Sequence, residues 1–338
     1  MNVLIVRTSA MGDIVHVLPV LSALRRGLPE ARIGWVVEKA FAPLLDGHPD
    51  LDEVIPVRLR AWRKRILSRQ VRGEIRAAHA ALRRFAPEVA LELMGNHKGG
   101  AIARLSGARR ILGPARRHRR EPSSAVWINE PIDVGGEHAV DRALAVLSPL
   151  DLEAGPVDFG GEKILPRPPA EAEAFLAARR RPFVLIQAGA GWGNKSYPPS
   201  WWGEVARRLH QATGFDVWVP IAPGEEDLAY GVVATSGGAA EAVDAVSLAV
   251  LAALVRGSRL LLGGDTGPLH LAHALGTPVL CVMGPTDPAR NGPYGAVDRA
   301  LWRRLPCSFC YKRFAGTKAC LLAIAPSEVV ARACELLV

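Results

Sequence analysis

Arg32-Ile-Gly-Trp-Val-Val37 and Phe183-Val-Leu-Ile-Gln187 carry almost no charge over a strand's length. Such runs do not alternate polar with apolar residues. They fit strands buried on both faces, which belong to parallel sheets covered by helices. The pattern recurs through both halves. In the first, residues 3–7, 32–37, 53–57, 88–94 and 126–132 read as strands, and 14–27, 70–85 and 137–150 as helices. In the second, strands are expected at 183–187, 215–221, 259–263 and 278–283, with helices at 199–213, 247–256 and 267–275 and a further helix at the end. Between the halves, Asp151–Pro169 is rich in Gly and Pro, which marks a linker. The chain is long enough for two cores. The expected organisation is therefore α/β: a parallel-sheet domain over 1–155, a linker over 156–180 and a second such domain over 181–338, its last helix returning to the first domain. Sheets of this kind bind ligands beyond the carboxyl ends of their strands, so two facing sheets are expected to leave a central cleft.

Charge is unevenly spread. Between Arg58 and Arg120 stand eighteen Lys and Arg against Glu74, Glu88 and Glu92, although the whole chain carries only +9. A one-sided field of that size attracts polyanions: nucleic acid, an anionic membrane or a phosphorylated glycolipid. Solvated faces of Arg-rich helices are the plainer alternative for any single residue. Aromatic residues within the segment are sparse (Trp62 and Phe85), without the interleaving that single-strand binders use for stacking, so no nucleic-acid partner is expected. No apolar run reaches the roughly 18 residues of a membrane span. The opening lacks the layout of a signal peptide, and the expectation is a cytoplasmic protein.

One acid sits where the first strand should hand over to a helix. In Arg7-Thr-Ser9-Ala-Met-Gly12-Asp13, the carboxylate of Asp13 is either a helix cap or a general-base candidate facing an electrophile. The loop lacks Gly-x-Gly-x-x-Gly, which argues against a dehydrogenase. In Leu260-Leu-Leu-Gly-Gly-Asp265-Thr266-Gly267-Pro-Leu-His270, a strand ends in glycines and a helix begins beside a Thr hydroxyl, the layout of a phosphate seat. Asp265 is either the cap of that helix or part of the anion site. Gly284-Pro-Thr-Asp-Pro288 and the glycine-rich loop ending at Lys195 are expected to line the same pocket, and together the three loops describe a diphosphate cradle.

At these residues the chain resembles glycosyltransferase family 9, the heptosyltransferases of lipopolysaccharide core synthesis. The resemblance rests on Ser9-x-x-Gly12-Asp13 with Pro19, on Gly193-x-Lys195-x-x-Pro198, and on Asp265-Thr-Gly-x-x-His270 with Gly284-Pro-Thr-Asp-Pro288. It implies a GT-B fold, two Rossmann-like domains, and inverting transfer from ADP-heptose with no cofactor or divalent metal required. By resemblance Asp13 is the catalytic base; Lys195, Thr266 and Gly267 hold the diphosphate, with His270 behind them, and Asp265 is a further donor-binding candidate. Glu226 meets the ribose and Val246 the adenine. Ser9, Gly12, Arg60, Arg63, Lys64, Lys98 and Arg120 are the acceptor-side candidates. Arg120-Glu-Pro and the basic stretch after Trp62 are similar to the first heptosyltransferase, which acts on the Kdo sugars of lipid A. The implied partners are a nucleotide sugar, that anionic glycolipid, and the cytoplasmic surface of the inner membrane, touched peripherally without insertion. Another nucleotide sugar, a protein acceptor, or polyanion binding without catalysis are the alternatives.

Cys307-Ser-Phe-Cys310 and Cys320 allow a metal knuckle, for which Cys334 would have to complete the ligands; buried reduced thiols are the main expectation. A sugar-nucleotide epimerase would want more carboxylates than this chain offers. His16, His270 and His273 have no zinc spacing, which argues against a metallohydrolase.

Overall fold

A computed structural model of the chain describes residues 1–152, 155–177, 181–222, 224–244, 247–313 and 317–337. It divides into two compact units, Met1–Pro166 and Arg167–Val338. In the first, six strands are β1 Asn2–Val6, β2 Arg32–Glu38, β3 Glu53–Val57, β4 Val89–Glu92, β5 Arg110–Pro114 and β6 Glu130–Ile132. In the second they are β7 Phe183–Gln187, β8 Asp216–Ile221, β9 Ala240–Asp244, β10 Leu261–Gly263, β11 Val279–Val282 and β12 Ala300–Leu301. The sheet orders are β3-β2-β1-β4-β5-β6 and β12-β11-β10-β7-β8-β9, and every pairing is parallel. Counted within its own unit, each sheet has the doubly wound order, which reverses between its first and fourth strands. Val3 pairs with Val89 at one reversal, and Leu185 with Leu261 at the other.

Burial on both faces explains the uncharged strands. Val184 and Ile186 enter one core with Trp202, Val219 and Leu262, while Phe183 and Leu185 enter another with Trp218, Leu261 and Val279. Neighbours along one strand thus serve opposite layers, as the period of two requires. The first unit's core holds Leu4, Val6, Val36, Ile55, Phe85 and Ile111. Phe85 packs so close to β2 that a Cβ at Gly34 would lie 2.8 Å from its ring.

Several elements depart from expectation for local reasons. The helix expected over 14–27 is two, Met11–Val15 and Leu18–Gly27, with Pro19 in the first turn of the second, where a missing N–H costs nothing. The strand expected from Val126 shrinks to Glu130–Ile132, because Pro122–Trp127 winds into 3-10 turns. The helix expected over 137–150 becomes Ala139–Leu144 followed by 3-10 turns containing Pro149. The terminal helix, Pro326–Leu337, buries Val329 and Ala333 in the second unit's core, beside the helix Pro199–Thr213. Nearby, the Tyr197 hydroxyl donates to the Ile324 carbonyl at 2.6 Å.

One buried ion pair organises the loops at the carboxyl end of the first sheet. Glu92, the last residue of β4, accepts from Arg119 Nη2 at 2.5 Å, and neither side chain is exposed. Glu92 also accepts from the amides of Met94 and Gly95, while Arg119 donates to Ser124 Oγ and the Pro114 carbonyl. Burial pushes the Glu92 carboxyl up, against the pull of Arg119. A Cβ at Gly99 would lie 2.1 Å from Glu92 Oε1, so the following helix can approach only as glycine. Removing one partner strands the other charge in the core, so Glu92→Gln or Arg119→Met alone should cost about 3–5 kcal/mol. Urea unfolding of a Glu92→Met/Arg119→Met double variant should show much less loss than the sum of the single changes.

Candidate functional site

In the second unit, the loops after β7, β10 and β11 meet at the sheet's reversal. Asp265, just past β10, is the hub. Its Oδ2 accepts from Lys195 Nζ at 2.5 Å and from Thr286 Oγ1 at 2.8 Å, and its Oδ1 lies 3.0 Å from His270 Nε2. The carboxylate is buried. Burial alone would raise its pKa, but the hydrogen bond from His270 and the Lys195 charge hold it well below the usual carboxylate range. One acid thereby locks three loops into a single arrangement.

Above this hub the helix Gly267–Ala274 begins. Thr266 is its N-cap, with Oγ1 accepting from the Leu269 amide at 3.5 Å, and Pro268 fits the first turn. The Gly267 amide lies at the helix's positive end, where an anion would be favoured. Lys195 flanks it, partly exposed, with Nζ 4.3 Å from the centre of the Trp192 ring. Its ammonium has three N–H groups, and the bond to Asp265 uses one. Gly264 is required by close approach, since a Cβ there would stand 2.7 Å from the Lys195 carbonyl oxygen. Arg313 also lies over Trp192, at 5.4 Å.

Glu226 is exposed and turns back on its own loop, accepting from the Gly224 amide at 3.0 Å; that bond holds its carboxyl down. Its neighbour Glu225 reaches the end of β7 instead. Gln187 Nε2 donates to it at 3.4 Å, and a Cβ at Gly189 would collide with its carboxylate. Burial, then the charge of Glu226, push the Glu225 carboxyl up. Val246 lies outside the described residues.

In the first unit, Asp13 is the third residue of the short helix Met11–Val15. Its Oδ2 accepts from the Ala10 amide at 3.0 Å, so it caps the helix from inside. Its Oδ1 pairs with Arg7 Nη2 at 2.6 Å, and 46% of the side chain stays exposed. Arg7 also donates to the Leu93 carbonyl, bridging the loops after β1 and β4. Ser9 is exposed on the loop before this helix, and Gly12, within the helix, is half-buried. Capping and a free carboxylate face thus coexist in one residue.

The five basic acceptor-side candidates fall into two groups. Lys98, in the first turn of the helix His97–Leu105, and Arg120, on a neighbouring loop, are exposed; the two segments are joined where Glu121 donates its amide to the Gly95 carbonyl and accepts from the His97 amide. Arg60, Arg63 and Lys64 are exposed on and beside the helix Leu59–Lys64, after β3. In sheet order β3 stands three places from β4, about 14 Å away. Cys307 and Cys310 are exposed and Cys320 half-buried, all free thiols. Among the described residues, no three His, Cys, Asp or Glu side chains form a metal-binding group.

Sequence reasoning missed Arg7, Thr286, Trp192 and the Glu92–Arg119 pair as organising residues. Thr286 and Trp192 lay inside segments already singled out. Nothing in the chain's local pattern marks Arg7 or Arg119, because their partners are set by the fold.

Residues 75–319 match the model of glycosyltransferase family 9 (heptosyltransferase). Lipopolysaccharide heptosyltransferase 1 of Pseudomonas aeruginosa is 32% identical over 319 residues, covering 93% of this chain and 87% of that protein. Among solved structures, Escherichia coli heptosyltransferase WaaC with ADP superposes with a TM-score of 0.82 at 27% identity, over 99% of this chain and 100% of that one. The same enzyme with ADP-2-deoxy-2-fluoro heptose gives 0.79 at 27% identity, over 99% of each chain.

The Asp265 hub has a pH signature. Its folded-state pKa is depressed, so its contribution to stability is present above the unfolded carboxylate range and is lost as pH falls through the folded value. Asp265→Asn should destabilise the second unit by about 3 kcal/mol at neutral pH. Unfolding midpoints of variant and wild type, followed from neutral pH into strong acid, should converge.

Proposed function

The chain belongs to glycosyltransferase family 9, and from that premise we propose that it transfers a heptose from ADP-heptose to the Kdo-lipid A inner core of lipopolysaccharide. The similarity to heptosyltransferase 1 over most of both chains carries this reading. The Asp265 hub beneath a helix end supports it.

In this reading the donor diphosphate rests on Lys195, Thr266 and Gly267, while Asp265 and His270 hold Lys195 and the helix start from beneath. Glu226 meets the ribose. As the bond between the anomeric carbon and the diphosphate breaks, negative charge grows on the leaving group. Lys195 and the helix end stabilise it electrostatically, in a geometry already set before reaction. Asp13 takes the proton from the acceptor hydroxyl as that oxygen attacks the anomeric carbon, and the displacement inverts the configuration. Arg7 orients the Asp13 carboxylate without covering it. Ser9, Gly12, Arg60, Arg63, Lys64, Lys98 and Arg120 face the acceptor and its phosphates. The reaction uses no cofactor and takes its positive charge from the protein. No helix among the described residues is long and apolar enough to cross a membrane; the enzyme works peripherally at the inner face of the inner membrane.

Incubation with ADP-heptose and Kdo-lipid A should add one heptose by mass spectrometry, and no addition would remove the assignment. A thermal-shift panel of ADP-, UDP-, GDP- and CMP-sugars should single out the ADP compound. Asp13→Ala should lower kcat by about 10²–10⁴-fold, the range of a lost general base, while calorimetry finds ADP affinity unchanged. Lys195→Ala should weaken ADP binding by about tenfold or more, the loss of a charged hydrogen bond.

A further inference from the structure

Helix Leu59–Lys64 and helix Arg69–Phe85 are joined by a tight turn at Arg65–Ser68. Backbone bonds fix it: the Arg65 amide to the Trp62 carbonyl at 3.1 Å, Ser68 to Arg65 at 2.9 Å, and Arg72 to Ser68 at 3.0 Å. Leu59 and Trp62 point inward and pack on the core, and Trp62 Nε1 donates to Glu74 Oε2 at 2.8 Å. Ile66 and Leu67 point the other way, at 58% and 86% exposure. Leu67 is the most exposed large hydrophobic among the described residues. The turn is thus anchored from behind and displays two aliphatic side chains at its tip.

Charge surrounds that tip. From Arg58 to Arg72 the chain carries seven basic residues and no acid. The nearest acid along the chain, Glu74, is turned back on Arg58 and Trp62. Among the described residues, Arg60, Arg63, Lys64, Arg65, Arg69 and Arg72 enter no ion pair. An aliphatic tip ringed by unpaired cations suits one environment, the interface of an anionic bilayer, where phosphates meet the cations and acyl chains receive the apolar side chains. A nucleic acid would satisfy the cations and leave Ile66 and Leu67 in water, since aliphatic groups give no stacking platform.

We propose that the Arg65–Ser68 turn is a membrane wedge: Ile66 and Leu67 insert into the headgroup and acyl boundary of an anionic bilayer while the flanking cations bind its phosphates. The inference goes beyond surface adsorption. It rests on the lipid-linked acceptor of the proposed function for its purpose and on the turn itself for its geometry.

The test is Ile66→Ser/Leu67→Ser, which keeps every charge, beside Arg65→Gln/Arg69→Gln, which keeps the aliphatic pair. Flotation with phosphatidylglycerol-containing vesicles and insertion into monolayers of the same lipid are the readouts. Wild type should float with anionic and not with pure phosphatidylcholine vesicles, and should raise monolayer pressure. The serine pair should weaken vesicle binding by about tenfold or more and abolish the pressure rise. The glutamine pair should weaken binding in a salt-dependent way. Turnover of a deacylated, water-soluble acceptor should be unchanged in the serine pair, while turnover of vesicle-embedded acceptor falls. Unchanged flotation and insertion in the serine pair would overturn the proposal, as would wild-type adsorption without a pressure rise or tighter binding to duplex DNA. Absence of transfer to the soluble acceptor by wild type would instead count against the transferase reading and leave the wedge standing.

Discussion

A carboxylate taken out of water must find donors or give up its charge. Asp265 finds three, from Lys195, Thr286 and His270, and each comes from a different segment of the second unit. The interaction therefore does two things together. It keeps an acid ionised in a buried place, and it sets the lysine, the capping threonine's helix and the loop after β11 in fixed relation. A lysine tethered in this way has already lost rotamer freedom, so little of it is left to lose should the ammonium meet an anion.

The first unit solves a related problem at the corresponding strand. Glu92 ends the fourth strand of its sheet as Asp265 follows the fourth strand of the other. Both stand at the reversal of strand order, where flanking crossovers diverge and leave room for side chains from neighbouring loops. The chemistry differs. Glu92 and Arg119 are wholly sequestered and serve only to hold loops, whereas Lys195 keeps an exposed part. Asp13 is more open still, tied on one side by Arg7 and by a backbone amide. The three acids thus run from structural pin, through tether, to a group with a free face.

Much of this was legible in the chain because the signals were local. Uncharged runs gave β1, β2, β3 and β7, and the Thr-Gly-Pro sequence gave the start of the helix at Gly267. What failed was also local in cause. β5 opens with Arg110, whose guanidinium is satisfied by Glu130, and the helix His97–Leu105 contains Gly99 and Gly100, which lower helix propensity. Each glycine is there for contact: a Cβ at Gly99 would strike Glu92, and one at Gly100 would strike Trp127. Partners such as Arg7 with Asp13, or Arg119 with Glu92, are chosen by three-dimensional proximity, and no spacing along the chain announces them. Cys307 and Cys310 met the same limit: buried thiols were the main expectation and both are exposed, a matter the fold decides and spacing does not.

The strand order of the first sheet also governs how this unit must be born. β1 lies in the middle of its sheet, yet its neighbour β4 is synthesised some eighty residues later, Val3 pairing with Val89. Until then the Val-Leu-Ile-Val run of β1 has one side to offer β2 and an open edge on the other. Such an edge invites pairing with foreign strands, and closure over so long a loop is slow. A nascent chain of this design carries β1 with one edge uncovered until β4 has been made. Protection by a chaperone during that interval matters more here than for a sheet built in sequential order.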